Sequence, residues 1–326
     1  MQALTVHTLS DDLSGVSLDE VQLPNRLSGQ VLVKVRAASL NFPDLLMTRG
    51  RYQLKPPLPF VPGMDLAGEL VEADPGFAFA VGDAVVAATR LGAFADYAVV
   101  DVAAVQSKPQ GLSFAQAASY GAAYLTAYVA LVELGGVRAG QWVLVHGASG
   151  GVGLAAVDLA RSLGARVIAA SGSADKLAVV ADAYAPDATL VSDGRFRDEV
   201  AAITGGAMCD LVYDPVGGDV FDESTRCVAF GGKLLVVGFA SGRIADVSTN
   251  IPLIKGFSVV GVRAGEYTRR FPERGTRIRA DVAAMVADGK VKPRVDRILP
   301  LSRWREGFEA MARRELVGKV VFEPGA

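Results

Sequence analysis

The sequence predicts an α/β protein in which a doubly wound parallel sheet is joined to a second, mainly β part. Three observations carry this. From Gln141 onward, short apolar runs alternate with helical stretches; a glycine-rich turn joins the first run to the first helix; and up to about Leu112 the chain reads as short strands punctuated by proline and glycine. Alternating β and α segments imply a parallel sheet covered on both faces. Short alternating strands broken by turn residues imply antiparallel pairing instead.

The chain has 326 residues, which is room for about two domains. At 51% hydrophobic and 21% charged it has the material for buried cores, so disorder is excluded. The net charge of −2 offers no basic field to nucleic acid or an anionic membrane. Two cysteines, Cys209 and Cys227, cannot make a disulfide framework. With only His7 and His146 beside them, zinc is not expected. Met1 to His7 lacks a basic leader region, and cysteine usage suits a reducing, cytoplasmic setting. Phe114 to Val132 is uncharged, but Gln116, Ser119, Gly121, Thr126 and three tyrosines mark it as packed rather than membrane-spanning.

In chain order, Gln30–Arg36 alternates as a half-buried strand does, and Pro and Gly dominate Leu54–Gly63. Ser113-Phe-Ala-Gln116 is a capping box opening an alanine-rich helix. The parallel-strand candidates are Trp142–His146, Arg166–Ala170, Ala188–Val191, Asp210–Tyr213, Lys233–Val237 and Ser258–Val262, with helices clearest over Gly153–Leu163 and Lys176–Ala183. A later helix sets Ile278, Val282, Met285 and Val286 on one face. A final helix and a closing strand, Gly318–Phe322, follow Leu299-Pro-Leu301.

The strongest local signal is Val143-Leu-Val-His-Gly-Ala-Ser-Gly-Gly-Val-Gly153 running into an apolar helix. Ala148-x-Gly150-x-x-Gly153 fits the dinucleotide fingerprint with alanine at its first position. Gly150 and Gly151 let the backbone approach a pyrophosphate, Gly153 lets the helix lie against the strand, and the helix start presents unpaired N–H groups. The next strand ends Ala170-Ser171-Gly172-Ser173-Ala174-Asp175-Lys176 without the carboxylate that binds ribose hydroxyls in NAD sites. Ser171 and Ser173 are small donors and Lys176 is a point cation, which favours NADPH. Lys176 reads equally as a solvated residue of a first helical turn, and His146 as a satisfied structural histidine.

At this point the sequence resembles the zinc-independent quinone oxidoreductases, zeta-crystallin among them, of the medium-chain dehydrogenase/reductase superfamily. The matching segments are Ala38–Asp44, Pro62–Gly68, Val81–Asp83, Ala123–Tyr128, Val145–Gly153, Asp214–Gly218 and Gly231–Gly238. The resemblance implies a GroES-like catalytic domain built from both chain ends, residues 1–120 and 261–326, around a Rossmann domain over 121–260. Where zinc-dependent relatives carry histidine and glutamate near the metal, Met64 and Asp65 stand here. The resemblance also implies that Asn41 lies beside the nicotinamide, Tyr52 lines the cleft, and Thr126 contacts the nicotinamide end. Ser149, Gly150, Gly151 and Val152 match its pyrophosphate loop, Ser171 and Lys176 its 2′-phosphate pocket. Val237, Gly238, Phe239 and Ala240 match the segment passing the nicotinamide, and Val262 a backbone contact beyond it. Ser192 stands where relatives often carry tyrosine or histidine. Each has a plainer reading: Asn41 as a turn residue, Tyr52 as packing, Thr126 bonded to its own helix, Phe239 as core.

Without a metal to polarise an isolated carbonyl, hydride from NADPH needs an acceptor activated by conjugation. The expectation is therefore an NADPH:quinone oxidoreductase, with Asn41 and Tyr52 orienting the acceptor and donating to its developing oxyanion. The alternatives are reduction of α,β-unsaturated carbonyls or enoyl and acryloyl thioesters, and a non-catalytic crystallin-like or RNA-binding role. By resemblance the protein pairs as a homodimer through the outer strand Ser258–Val262.

Overall fold

The computed structural model describes residues 1–325, and the chain divides into two compact units. One comprises Met1–Ala122 together with the chain from Pro293 onward; the other is Ala123–Lys292. The sequence reading returned the chain to the first domain at residue 261, whereas residues 261–292 pack within the second unit.

The first unit begins with β1 (Gln2–Val6), β2 (Val16–Glu20), β3 (Gln30–Ser39), α1 (Phe42–Thr48) and β4 (Asp65–Glu72). β5 (Ala84–Ala88), β6 (Tyr97–Asp101) and β7 (Val105–Ser107) lead to α2 (Phe114–Tyr128), along which the chain passes into the second unit. The capping box holds there, Gln116 N–H donating to Ser113 Oγ at 3.2 Å and Ser113 N–H to Gln116 Oε1 at 3.0 Å.

The second unit continues with β8 (Trp142–Val145), α3 (Gly151–Ser162), β9 (Arg166–Ser171), α4 (Ala174–Tyr184), β10 (Ala188–Val191), α5 (Arg197–Thr204) and β11 (Cys209–Asp214). Then come α6 (Gly218–Ser224), β12 (Val228–Val236), α7 (Asn250–Lys255), β13 (Ser258–Gly261), α8 (Ala264–Arg270) and α9 (Pro272–Ala287). Its sheet is parallel throughout, in the order β10-β9-β8-β11-β12-β13. The order reverses between β8 and β11, and in open α/β sheets ligands bind at that reversal, beyond the strands' carboxyl ends. The apolar runs that predicted the strands are the core: Leu144, Ile168, Val212 and Leu234 are buried with Phe196 and Phe221.

The chain re-enters the first unit with β14 (Val295–Pro300), α10 (Trp304–Ala312) and β15 (Lys319–Glu323). β15 pairs antiparallel with β3, setting Val321 opposite Ser39 and Phe322 opposite Ala38. The joint is sealed by aromatic packing, Phe94 meeting Phe322 edge-on at 5.3 Å and Phe308 stacking on Phe322 at 6.1 Å. One end of the chain thereby completes the sheet begun by the other, and this register brings Lys319 to Asn41.

Candidate functional site

In the second unit the candidate site lies at the carboxyl ends of the parallel strands. β8 runs into a tight turn whose Gly147 adopts φ +58°, a left-handed conformation open to glycine. A Cβ on Gly153 would stand 2.1 Å from the Gly147 carbonyl oxygen, so α3 can lie this close only without a side chain there. Gly150 opens α3 with no side-chain cap, and the first bond inside the helix is Leu154 N–H to Gly150 O at 2.8 Å. The N–H groups of Gly151, Val152 and Gly153 therefore have no partner in their own helix and lie at its positive end. This arrangement fits a pyrophosphate.

Ser149 is buried beside the turn, its Oγ 3.3 Å from that of Ser171 at the end of β9. Ser173 caps α4 by accepting the Lys176 N–H, so Lys176 stands in the first turn of the helix that leaves β9. Ser192 N–H donates to Ser171 O at 3.0 Å, continuing the sheet beyond β10. Across the reversal, Val237 N–H bonds Asp214 O at 2.8 Å and Ala240 N–H bonds Pro215 O at 3.0 Å, fastening the segment after β12 to the end of β11. Gly238 is half-buried, and Phe239 is 38% exposed and leans on Gly217, so it is not a core residue. Val262 N–H is engaged with Val236 O at 2.8 Å, which leaves its carbonyl as the group available for a contact. Thr126 lies half-buried on α2. His146 is buried, with Nε2 2.8 Å from Ser224 Oγ, and burial pushes its imidazole down to about 3. Such a ring stays neutral at working pH and is structural.

Asn41 and Tyr52 belong to the first unit. Tyr52 is half-buried against that unit's core. Asn41 precedes α1 and is 6% exposed. Its Nδ2 donates to Asp65 Oδ2 at 3.0 Å and to Ser39 O at 3.3 Å, while its Oδ1 accepts from Lys319 Nζ at 2.6 Å. Both amide hydrogens are thus engaged, which corrects the expectation that Asn41 donates to an oxyanion; what remains is one lone pair on Oδ1.

This network was not read from sequence. Asp44 accepts the N–H groups of Asn41 at 2.8 Å and Gly63 at 3.0 Å, Asp65 those of Asn41 Nδ2 and Ala122, and Lys319 also donates to Leu40 O at 2.8 Å. Asp44, Asp65 and Lys319 are all buried. Burial pushes Asp44 up to about 7 against the pull of neighbouring N–H groups and of Lys319; it also raises Asp65 and lowers Lys319. The available signal was a lone charge at the edge of each apolar strand, in Gly318-Lys-Val-Val-Phe322 and Asp65-Leu-Ala-Gly68, since a charge that cannot reach water must find a partner.

Fold and site together define an oxidoreductase that uses a nicotinamide dinucleotide. Residues 27–110 match the family "Alcohol dehydrogenase GroES-like domain" and residues 151–278 the family "Zinc-binding dehydrogenase". The chain is 36% identical to a quinone oxidoreductase-like protein 2 homolog of Nematostella vectensis, across 93% of this chain and 84% of that one. It is 31% identical to the quinone oxidoreductase of Homo sapiens, across 89% and 87% respectively. The structure of Escherichia coli quinone oxidoreductase complexed with NADPH superposes with a TM-score of 0.91 at 26% identity, over 99% of this chain and all of that one. The chain belongs to the quinone oxidoreductase branch of the medium-chain dehydrogenase/reductase superfamily.

The residues present do not fit the zinc ion that the second family description implies. Among the described residues no three His, Cys, Asp or Glu side chains gather as metal ligands. Cys209, Cys227 and His146 are enclosed in the second unit's core, and His7 pairs with Asp19 at the surface.

Proposed function

We propose that the protein is an NADPH:quinone oxidoreductase that works without a metal. The observation that carries the cofactor reading is the end of β9, where Ser171, Gly172 and Ser173 replace the carboxylate that would repel a 2′-phosphate, and Lys176 stands in the first turn of the following helix. NADPH, when bound, supplies the hydride. Backbone N–H groups at Gly151 and Val152, with Ser149 beside them and Gly150 keeping the approach free of a side chain, would hold the pyrophosphate; Ser171 and Lys176 would hold the 2′-phosphate. Thr126, Val237, Gly238, Phe239, Ala240 and Val262 line the path toward the reacting end.

From the first unit we assign Asn41 and Tyr52 to the reacting end. The remaining Oδ1 lone pair suits Asn41 to accept from an amide N–H, such as the carboxamide of the nicotinamide. Tyr52 is the donor to the oxyanion that develops on the acceptor. The donor set offers no Lewis acid, so the acceptor must delocalise charge itself, as a quinone does. The two buried thiols agree with a reducing, cytoplasmic setting, and we assign a homodimer through the outer edge of β13.

An acceptor panel followed by nicotinamide absorbance tests this. Small quinones are expected to be reduced with kcat/KM at least about tenfold above simple enones, and NADPH to be preferred over NADH by a similar factor, the weight of about one charge-assisted contact. Enones or enoyl thioesters outrunning quinones would replace the substrate assignment, and NADH preference would overturn the reading of Ser171 and Lys176.

A further inference from the structure

The amide of Asn41 is gripped at both ends by groups whose chemistry fixes its orientation. An ammonium only donates, so the atom 2.6 Å from Lys319 Nζ is the amide oxygen. The Asp65 carboxylate accepts from two N–H donors, so the atom 3.0 Å from its Oδ2 is the amide nitrogen. Without these two groups, only the Ser39 carbonyl, 3.3 Å from the nitrogen, would hold the orientation of an amide whose two ends have nearly the same shape.

We propose that Lys319 and Asp65 are positioning residues for hydride transfer, acting through Asn41 by fixing which face of its amide is the acceptor. The proposal rests on the assignment of Asn41 to the reacting end. The Lys319 ammonium reaches the site because β15 pairs with β3, and it is held a second time by Leu40 O at 2.8 Å. The charged and titratable groups facing this amide are Lys319 from β15, Asp65 from β4 and Asp44 from α1, with Tyr120 of α2 close enough to feel the Asp65 charge. Asp44 meets the backbone of Asn41 rather than its amide, so it shapes the turn without choosing the amide's orientation.

The test is a double-mutant cycle on the full chain, reading kcat with saturating quinone and the affinity for NADPH separately. Asn41→Ala and Lys319→Met are each expected to lower kcat by about tenfold or more, the scale of a misplaced reacting group. NADPH affinity should move by less than about threefold, since the phosphate turn is untouched. Because Lys319 acts through Asn41, the double variant should match Asn41→Ala within about twofold. Lys319→Met leaves two buried carboxylates without their cation, so Asp65→Asn, nearly isosteric and with Lys319 still facing Asp44, runs through the same cycle. Losses that multiply in either double variant, or an unchanged kcat in Lys319→Met and Asp65→Asn while Asn41→Ala is impaired, overturn the positioning role alone. An Asn41→Ala variant with unaltered kcat overturns both this role and the assignment of Asn41.

Discussion

One buried ammonium faces two buried carboxylates in the first unit, and burial raises both carboxyls against the pull of Lys319. Asp44 is raised from 3.8 to about 7. Between those values the folded chain holds a proton there that the unfolded chain has released, so this group makes stability fall as pH rises from about 4 to about 7. Above that range the penalty is complete, and below it the penalty is absent. Asp44→Asn removes the titration while keeping an acceptor for one N–H. Melting temperatures across this range should therefore decline less steeply with rising pH in the variant; parallel curves would show that Asp44 does not titrate in the folded protein. At this scale Gly150, Gly151 and Gly153 were legible in the sequence, because a turn with fixed spacing has one geometry. Lys319 was not legible as a partner of Asn41: 278 residues separate them, and only the pairing of β15 with β3 makes them neighbours.

Among elements, those with strong periodicity were read well and those shorter than two turns were not. Trp142–His146 and Arg166–Ala170 were visible as apolar runs because parallel strands are buried on both faces. Helix α1, seven residues long, was not anticipated, since the Asn-Phe-Pro at its start suits Asn41 to a turn and its length is too short to display a face. The π-helical extension of α2 over Val129–Gly135 carried no signal of its own. Ile278, Val282 and Val286 correctly marked the buried face of α9, yet periodicity does not say which body a helix covers, and α9 packs within the second unit. The outer strand β13 leaves Val259 38% exposed, and nearby Phe230, lying over Gly256, is 89% exposed, with Leu253 and Ile254 at 81% and 74%. An uncovered edge with an apolar border is the surface on which the homodimer assignment rests. Sedimentation should find a dimer that Val259→Lys converts to monomer with its melting temperature little changed. A monomeric parent chain, or a dimer indifferent to this charge, would put the interface elsewhere.

On the scale of the whole molecule, the chain separates two tasks. The second unit offers backbone donors at a strand-order reversal, suited to a dinucleotide; the first builds a polar network from both chain ends around Asn41. The family accounts for both bodies, while the donor set departs from the zinc chemistry named in one of its domain descriptions. Two histidines and two cysteines scattered along 326 residues leave little to gather into a metal site. The most direct trial is turnover of NADPH with benzoquinone by protein stripped with a chelator and assayed for bound metal. The account predicts undiminished quinone reduction in metal-free protein and no gain on adding zinc. Activity that vanishes with the metal and returns in proportion to bound zinc would contradict it.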